Sequence, residues 1–206
     1  MLKIWGRLSS INVQKVVWCA RELGLRFERV DAGRSFGIVD TPEYRSLNPN
    51  ALVPVIEDDG FVLWESNAIV RYLGTKHGSG TLVPASLTER ADADRWMDWQ
   101  CTELSPAMRD AFIQLVRTPA AERDTAAAER SAQATRPLLQ ILNAHLADRQ
   151  HVCGAAFTMA DIPLGCAAHR WFGLPITHGG LANLRAWYER LMQRPAVQAV
   201  LTLPLE

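Results

Sequence analysis

The stretch "LVPVIEDDGFVLWESNAIVRYL", residues 52–73, decides how this chain folds. Two short apolar runs flank Asp59-Gly60, a dipeptide that favours the tight turn of a β-hairpin. The second run leads into a helix with Ala68, Ile69, Tyr72 and Leu73 on one face, at amphipathic spacing. The first run opens on Val53-Pro54. Proline has no N–H to give a ladder, so its place is an edge or the start of a strand. If that bond is cis, the Val53 N–H and C=O leave the sheet and stand open to an extended peptide.

Upstream, "LKIW" at 2–5 reads as a strand. Residues 10–24 read as a helix, with Val13, Val16, Val17, Ala20 and Leu23 at 3–4 spacing and Gly24 as its stop. "LRFERV", 25–30, alternates as a second strand, so the chain opens with a right-handed βαβ unit. A polar loop with a short helix at 42–47 leads to the hairpin. Residues 1–77 thus predict a small α/β domain with a mixed sheet. "GSGTLVPAS", 78–86, has the composition of a linker. Beyond it, 87–206 is rich in Ala, Leu, Arg and Glu and loses all alternation, which predicts an all-helical domain. Its helices are expected at 87–117, kinked or divided at Pro106, then at about 121–147, 159–171 and 181–192.

Lys plus Arg and Asp plus Glu each number 22, so no charge bias points to nucleic acid or an anionic membrane. The N-terminus carries no signal-like run and nothing approaches a membrane span, so a cytoplasmic protein is expected. Cys19, Cys101, Cys153 and Cys166 lack metal-ligand or disulfide spacing and read as small buried hydrophobes, and the histidines show no metal spacing.

The chemistry-bearing residues fall into three groups. Glu65 and Ser66 open the helix after the hairpin: Ser66 with its neighbouring N–H groups suits a ligand carboxylate, and Glu65 an ammonium. With a peptide backbone along Val53, this describes a γ-linked peptide such as glutathione. Ser9, Ser10 and Asn12, in "SSINVQKVVWCARELGL" (9–25), stand at the mouth of the first helix, as caps or as contacts to an anion. Arg34, Arg45 and Asn50 lie in or beside the loop before the Val-Pro strand, either meeting a ligand carboxylate or solvated. In the helical half, Arg109 and Arg117 lie about two turns apart with Phe112 close by, and Arg7 precedes the serines. Trp96 and Trp99 read as a packing stripe.

"NPNALVPVI" followed by "LWESNAIVRYL" resembles the glutathione-binding half of cytosolic glutathione transferases, a thioredoxin-like domain followed by a helical one. The likeness extends over essentially the whole chain. "FTMADIPL", 157–164, resembles the capping box of that family's helical domain, with Thr158 and Asp161 as folding residues. The resemblance implies that Val53, Pro54, Glu65 and Ser66 contact glutathione, with Asn50 and Arg34 as further candidates. It also implies a hydroxyl that activates the thiol. No Tyr precedes Tyr44, and "S-x-N-V-x-K-V" points to the bacterial serine type, theta- or beta-like, with Ser10 the first choice, Ser9 the rival and Asn12 a second donor. It implies a symmetric homodimer, no metal or organic cofactor, glutathione as co-substrate and a small electrophile met by Arg7, Arg109, Arg117 and Phe112. Several arginines near a thiolate favour a haloacid. A zeta-type isomerase, whose serine run is similar, and a non-catalytic binding module are the alternatives.

Overall fold

Strand β1 (Leu2–Trp5) crosses over through helix α1 (Ile11–Glu22) to the parallel strand β2 (Phe27–Val30) in the computed structural model, which describes residues 1–206. Helix α2 (Pro42–Leu47) follows, then the antiparallel pair β3 (Val55–Asp58) and β4 (Phe61–Trp64), then α3 (Ser66–His77). The strand order is β2-β1-β3-β4, with β1 antiparallel to β3. Asp59 and Gly60 both take positive φ, 50° and 91°, as a tight hairpin turn requires.

The second strand starts two residues later than the alternation at 25–30 predicts. Gly24, at φ +64°, closes α1 in a Schellman turn. The Leu25 N–H donates to the Ala20 carbonyl at 2.9 Å and the Gly24 N–H to that of Arg21 at 3.0 Å, so the residues after the helix are engaged before the sheet can take them.

The helical half holds α4 (Leu87–Trp99), α5 (Ser105–Phe112), α6 (Thr125–His145), α7 (Asp161–Phe172) and α8 (Ala182–Met192). Between α4 and α5 the helix does not break. It widens into a π-turn at Gln100–Leu104, which gives the Pro106 ring room against the turn before it. A second π-turn, Ile113–Arg117, follows α5. At the start of α7 the buried Asp161 carboxylate accepts from the N–H groups of Thr158 at 2.9 Å and Val152 at 3.0 Å, and from Trp187 Nε1 at 2.9 Å.

One hydrophobic core runs through both halves. Trp18 on α1 reaches α7, where Gly165 leaves space for it: a Cβ at 165 would stand 2.8 Å from two atoms of the ring. Residues 78–86 add Leu82 and Val83 to that core. Trp96 is buried and meets Trp99 edge to face at 5.3 Å. Cys19 and Cys166 are buried, whereas Cys101 is exposed on the first π-turn, contrary to its reading as a core residue. No helix is long and apolar enough to cross a membrane, and no three His, Cys, Asp or Glu side chains are grouped to hold a metal ion.

Candidate active site

Ser10 takes the capping position of α1 with extended backbone, yet its hydroxyl makes no bond to the helix. Its carbonyl accepts from the Gln14 N–H at 2.9 Å, and the residue is only 8% exposed. The N–H groups of Ile11, Asn12 and Val13 find no acceptor in the protein. A free hydroxyl and free N–H groups at the positive end of a helix favour a bound anion. Ser10 thus has the position of a cap without the bond of one.

Its neighbours open into two different cavities. Asn12 faces a cleft of about 50 Å³, lined also by Asn48, Asn50, Leu52, Val53, Pro54, Glu65 and Ser66. The Val53–Pro54 peptide is cis, and the Val53 N–H and C=O bond to no other group of the chain. The loop before it is tied down. The Leu52 carbonyl accepts from Asn48 Nδ2 and from the Tyr44 hydroxyl, each at 2.9 Å. Asn48 Oδ1 accepts from the backbone N–H and the side chain of Asn50, each at 3.0 Å. Glu65 holds φ +71°, a conformation worth roughly 1–3 kcal/mol of strain for a residue with a Cβ. Its carboxylate makes no cap bond to α3 and lies on the cleft wall, next to the buried Ser66.

Ser9 faces the other cavity, about 450 Å³, with Arg7, Arg34, Ser35, Phe36 and Glu206. Gly33, at φ +82°, sits under Arg7; a Cβ there would come within 2.8 Å of Nη1. Arg7 Nε is buried without a partner. Arg117 Nε reaches a Glu206 oxygen at 3.3 Å, and its guanidinium lies 4.6 Å from the centre of the Phe112 ring. Arg170, on α7, lies 3.8 Å from that same ring. Phe112 is therefore not a cavity wall: it is buried, with two cations against it.

None of Arg7, Arg34, Arg117 and Arg170 forms an ion pair, although Arg29, Arg71 and Arg194 all do. Burial, and then repulsion from Arg34 and Arg7, pushes Arg117 down to about 10. Burial and then Arg117 push Arg170 down to about 10, and burial with Arg34 lowers Arg7. All stay cationic at neutral pH, so this is a pocket of uncompensated positive charge. Arg109 is not part of it. That side chain is exposed, with no hydrogen bond or ion pair, and does not line the cavity. Arg45 is engaged with Asp40 at 2.9 Å on the surface.

Sequence reasoning missed Arg170, which in "HRWF" reads as an ordinary cation in the last turn of a helix. It also missed Asn48 and Tyr44; the Asn-Pro-Asn turn at 48–50 was the available signal.

Two family models match this chain: "Glutathione S-transferase, N-terminal domain" over residues 1–75 and "Glutathione S-transferase, C-terminal domain" over 102–195. The chain belongs to the glutathione S-transferase family and is an enzyme of it. It is 41% identical to glutathione S-transferase GstB of Escherichia coli K12 over 207 residues, covering 100% of both chains. It is 32% identical to glutathione S-transferase 3 of Zea mays, covering 99% of this chain and 95% of that one. Its structure overlays the theta-class enzyme of Xanthomonas axonopodis pv. citri, crystallised with glutathione bound, at a TM-score of 0.96 and 45% identity, covering 100% and 99% of the two chains.

Proposed function

We propose that this transferase activates glutathione as a thiolate at Ser10 and transfers it to a small halocarboxylate, releasing halide. In this reading the peptide backbone of glutathione pairs with Val53 beside Pro54. Glu65 takes the γ-glutamyl ammonium, Ser66 and the mouth of α3 take the α-carboxylate, and Asn50 and Arg34 lie at the glycyl end. The thiol comes to rest over the free N–H groups of α1, with Ser10 donating to sulfur. A free thiol, with a pKa of about 8.5, is only about 3% ionised at pH 7, and a helix N-terminus with a donor brings such groups to roughly 3.5–7.5. The S–H proton leaves to solvent. The sulfur then uses its electron pair to displace halide from the carbon beside the carboxylate.

The observation that carries the choice of electrophile is the unpaired cluster of Arg7, Arg34, Arg117 and Arg170, in a chain of zero net formal charge. Four desolvated guanidinium groups facing no carboxylate partner favour an anionic co-substrate. The experiment compares bromoacetate with the neutral, isosteric bromoacetamide. Preference for the acid in kcat/KM, reduced in Arg117→Ala, supports the reading. Equal rates, or preference for the amide, refute it. We also expect a symmetric homodimer in the cytoplasm. The exposed Phe61 and Trp64 on β4 leave apolar surface to cover, and sedimentation equilibrium tests the assembly.

A further inference from the structure

Helix α1 contains a lysine where its core-facing pattern calls for an apolar residue. Lys15 is 2% exposed, among the most buried large side chains of the molecule. Its ammonium makes one hydrogen bond, to Gln100 Oε1 at 2.9 Å on the first π-turn, and Gln100 in turn donates to Ser105 Oγ. It has no ion pair. The groups facing it are Cys166 and Arg170 from α7, Cys101 from the π-turn and Glu65 from the mouth of α3. Burial holds the Cys166 thiol up at about 12, so it carries no charge, and Arg170 has the same sign as Lys15. Glu65, on the cleft wall, is the one carboxylate of the group. Burial pushes Lys15 down to about 8, which leaves it mostly protonated at neutral pH. A buried cation without a counter-ion opposes folding, and methionine would fill a similar volume without that penalty.

The geometry points to the missing counter-ion. Lys15 follows Ser10 by five residues, about 7.5 Å along the helix axis, and long helical side chains lean back toward the N-terminus. The ammonium therefore lies beneath the mouth of α1. We propose that Lys15 is a positioning residue of the thiol site: its buried ammonium, held by Gln100, stabilises the thiolate of glutathione bound above it. This rests on the reading that glutathione binds with its sulfur at Ser10. The charge acts through protein rather than by contact. At such a distance, with an effective dielectric of about 20, it lowers the thiol's pKa by about one pH unit. The coupling is reciprocal, so ionised glutathione must raise the pKa of Lys15 by the same amount.

Two measurements test this. The pKa of enzyme-bound glutathione, followed by thiolate ultraviolet absorbance against pH, is expected to rise by about one pH unit in Lys15→Met, with glutathione affinity at low pH retained. An unchanged thiol pKa in a folded, glutathione-binding variant overturns the proposal. The second measurement needs no variant. Lys15 shares the chain only with Lys3 and Lys76, so its titration is readable by NMR of lysine-labelled protein. Glutathione is expected to raise the Lys15 midpoint relative to S-methylglutathione, which has the same peptide charges and no thiolate. Equal midpoints with both ligands bound overturn the role of Lys15 alone, whereas failure of S-methylglutathione to bind overturns the glutathione reading beneath it.

Discussion

The two cavities beside Ser10 are built in opposite ways. The small cleft is made of backbone held by neutral side chains, from two neighbouring stretches of chain, 48–54 and 65–66, with Asn12 as the outlier. The larger cavity and the cations behind it are made of side chains from the 7–9 turn, the 34–36 segment, the second π-turn and α7, joined only by the tertiary fold. A backbone site of this kind discriminates by shape and hydrogen bonding, and tolerates change in the residues around it. A pocket of side-chain charge discriminates by electrostatics, and a single substitution can retune it.

If that division holds, substitutions should separate the two halves of the reaction. The largest effect is expected for Ser10→Ala, which serves both cavities. Loss of a donor to developing or resting negative charge reduces kcat/KM by about 100-fold, equally for bromoacetate and bromoacetamide. If Ser9→Ala or Asn12→Ala proves the more damaging instead, the sulfur sits nearer one cavity than the other. Next comes Arg170→Ala, expected to lower kcat/KM for bromoacetate about tenfold while the KM for glutathione stays within twofold. Desolvated contacts between a guanidinium and a carboxylate are worth roughly 1.5–3 kcal/mol. Asn48→Ala should do the reverse. It frees the Leu52 carbonyl and the Asn50 side chain, raises the KM for glutathione severalfold, costs about 1–3 kcal/mol in denaturant stability and spares electrophile preference. Arg109→Ala is expected to change neither constant measurably, and a clear loss for bromoacetate would bring that exposed cation back into the site. The pH dependence divides in the same way. Arg117 and Arg170 are cations below about 10, so preference for the acid over the amide should be constant through neutrality and fall only as pH rises through that value.

The same contrast explains what could be read from the chain directly. Val53-Pro54, Asp59-Gly60 and Glu65-Ser66 are local signals. Each states a backbone requirement in adjacent residues, and together they describe the hairpin, the helix after it and the cleft between. Pro106 was legible as a disturbance but not as a π-turn, because the outcome depends on whether the core holds the helix together on both sides of the proline. Arg170 and Arg109 show the limit most clearly. Both are arginines near a helix end, and nothing in their neighbours says that one lies against Phe112 while the other points to solvent. Lys15 was visible in the S-x-N-V-x-K-V run only as a letter of a motif. That it is buried follows from α7 and the first π-turn closing over α1, contacts that lie 85 residues or more along the chain.

The seat of Trp18 on Gly165 bears on how such enzymes diversify. Exchanging the helical half of this chain for a relative's looks like an economical route to new electrophiles, since the cationic pocket draws on α7 and the second π-turn. The indole forbids free exchange: any donor half with a side chain at 165 drives a Cβ to 2.8 Å from the ring, and trimming Trp18 to make room empties a core site at about 3–5 kcal/mol. Recombination between the halves is therefore conditional on one residue pair, and a chimera that respects it carries its thiol site across intact.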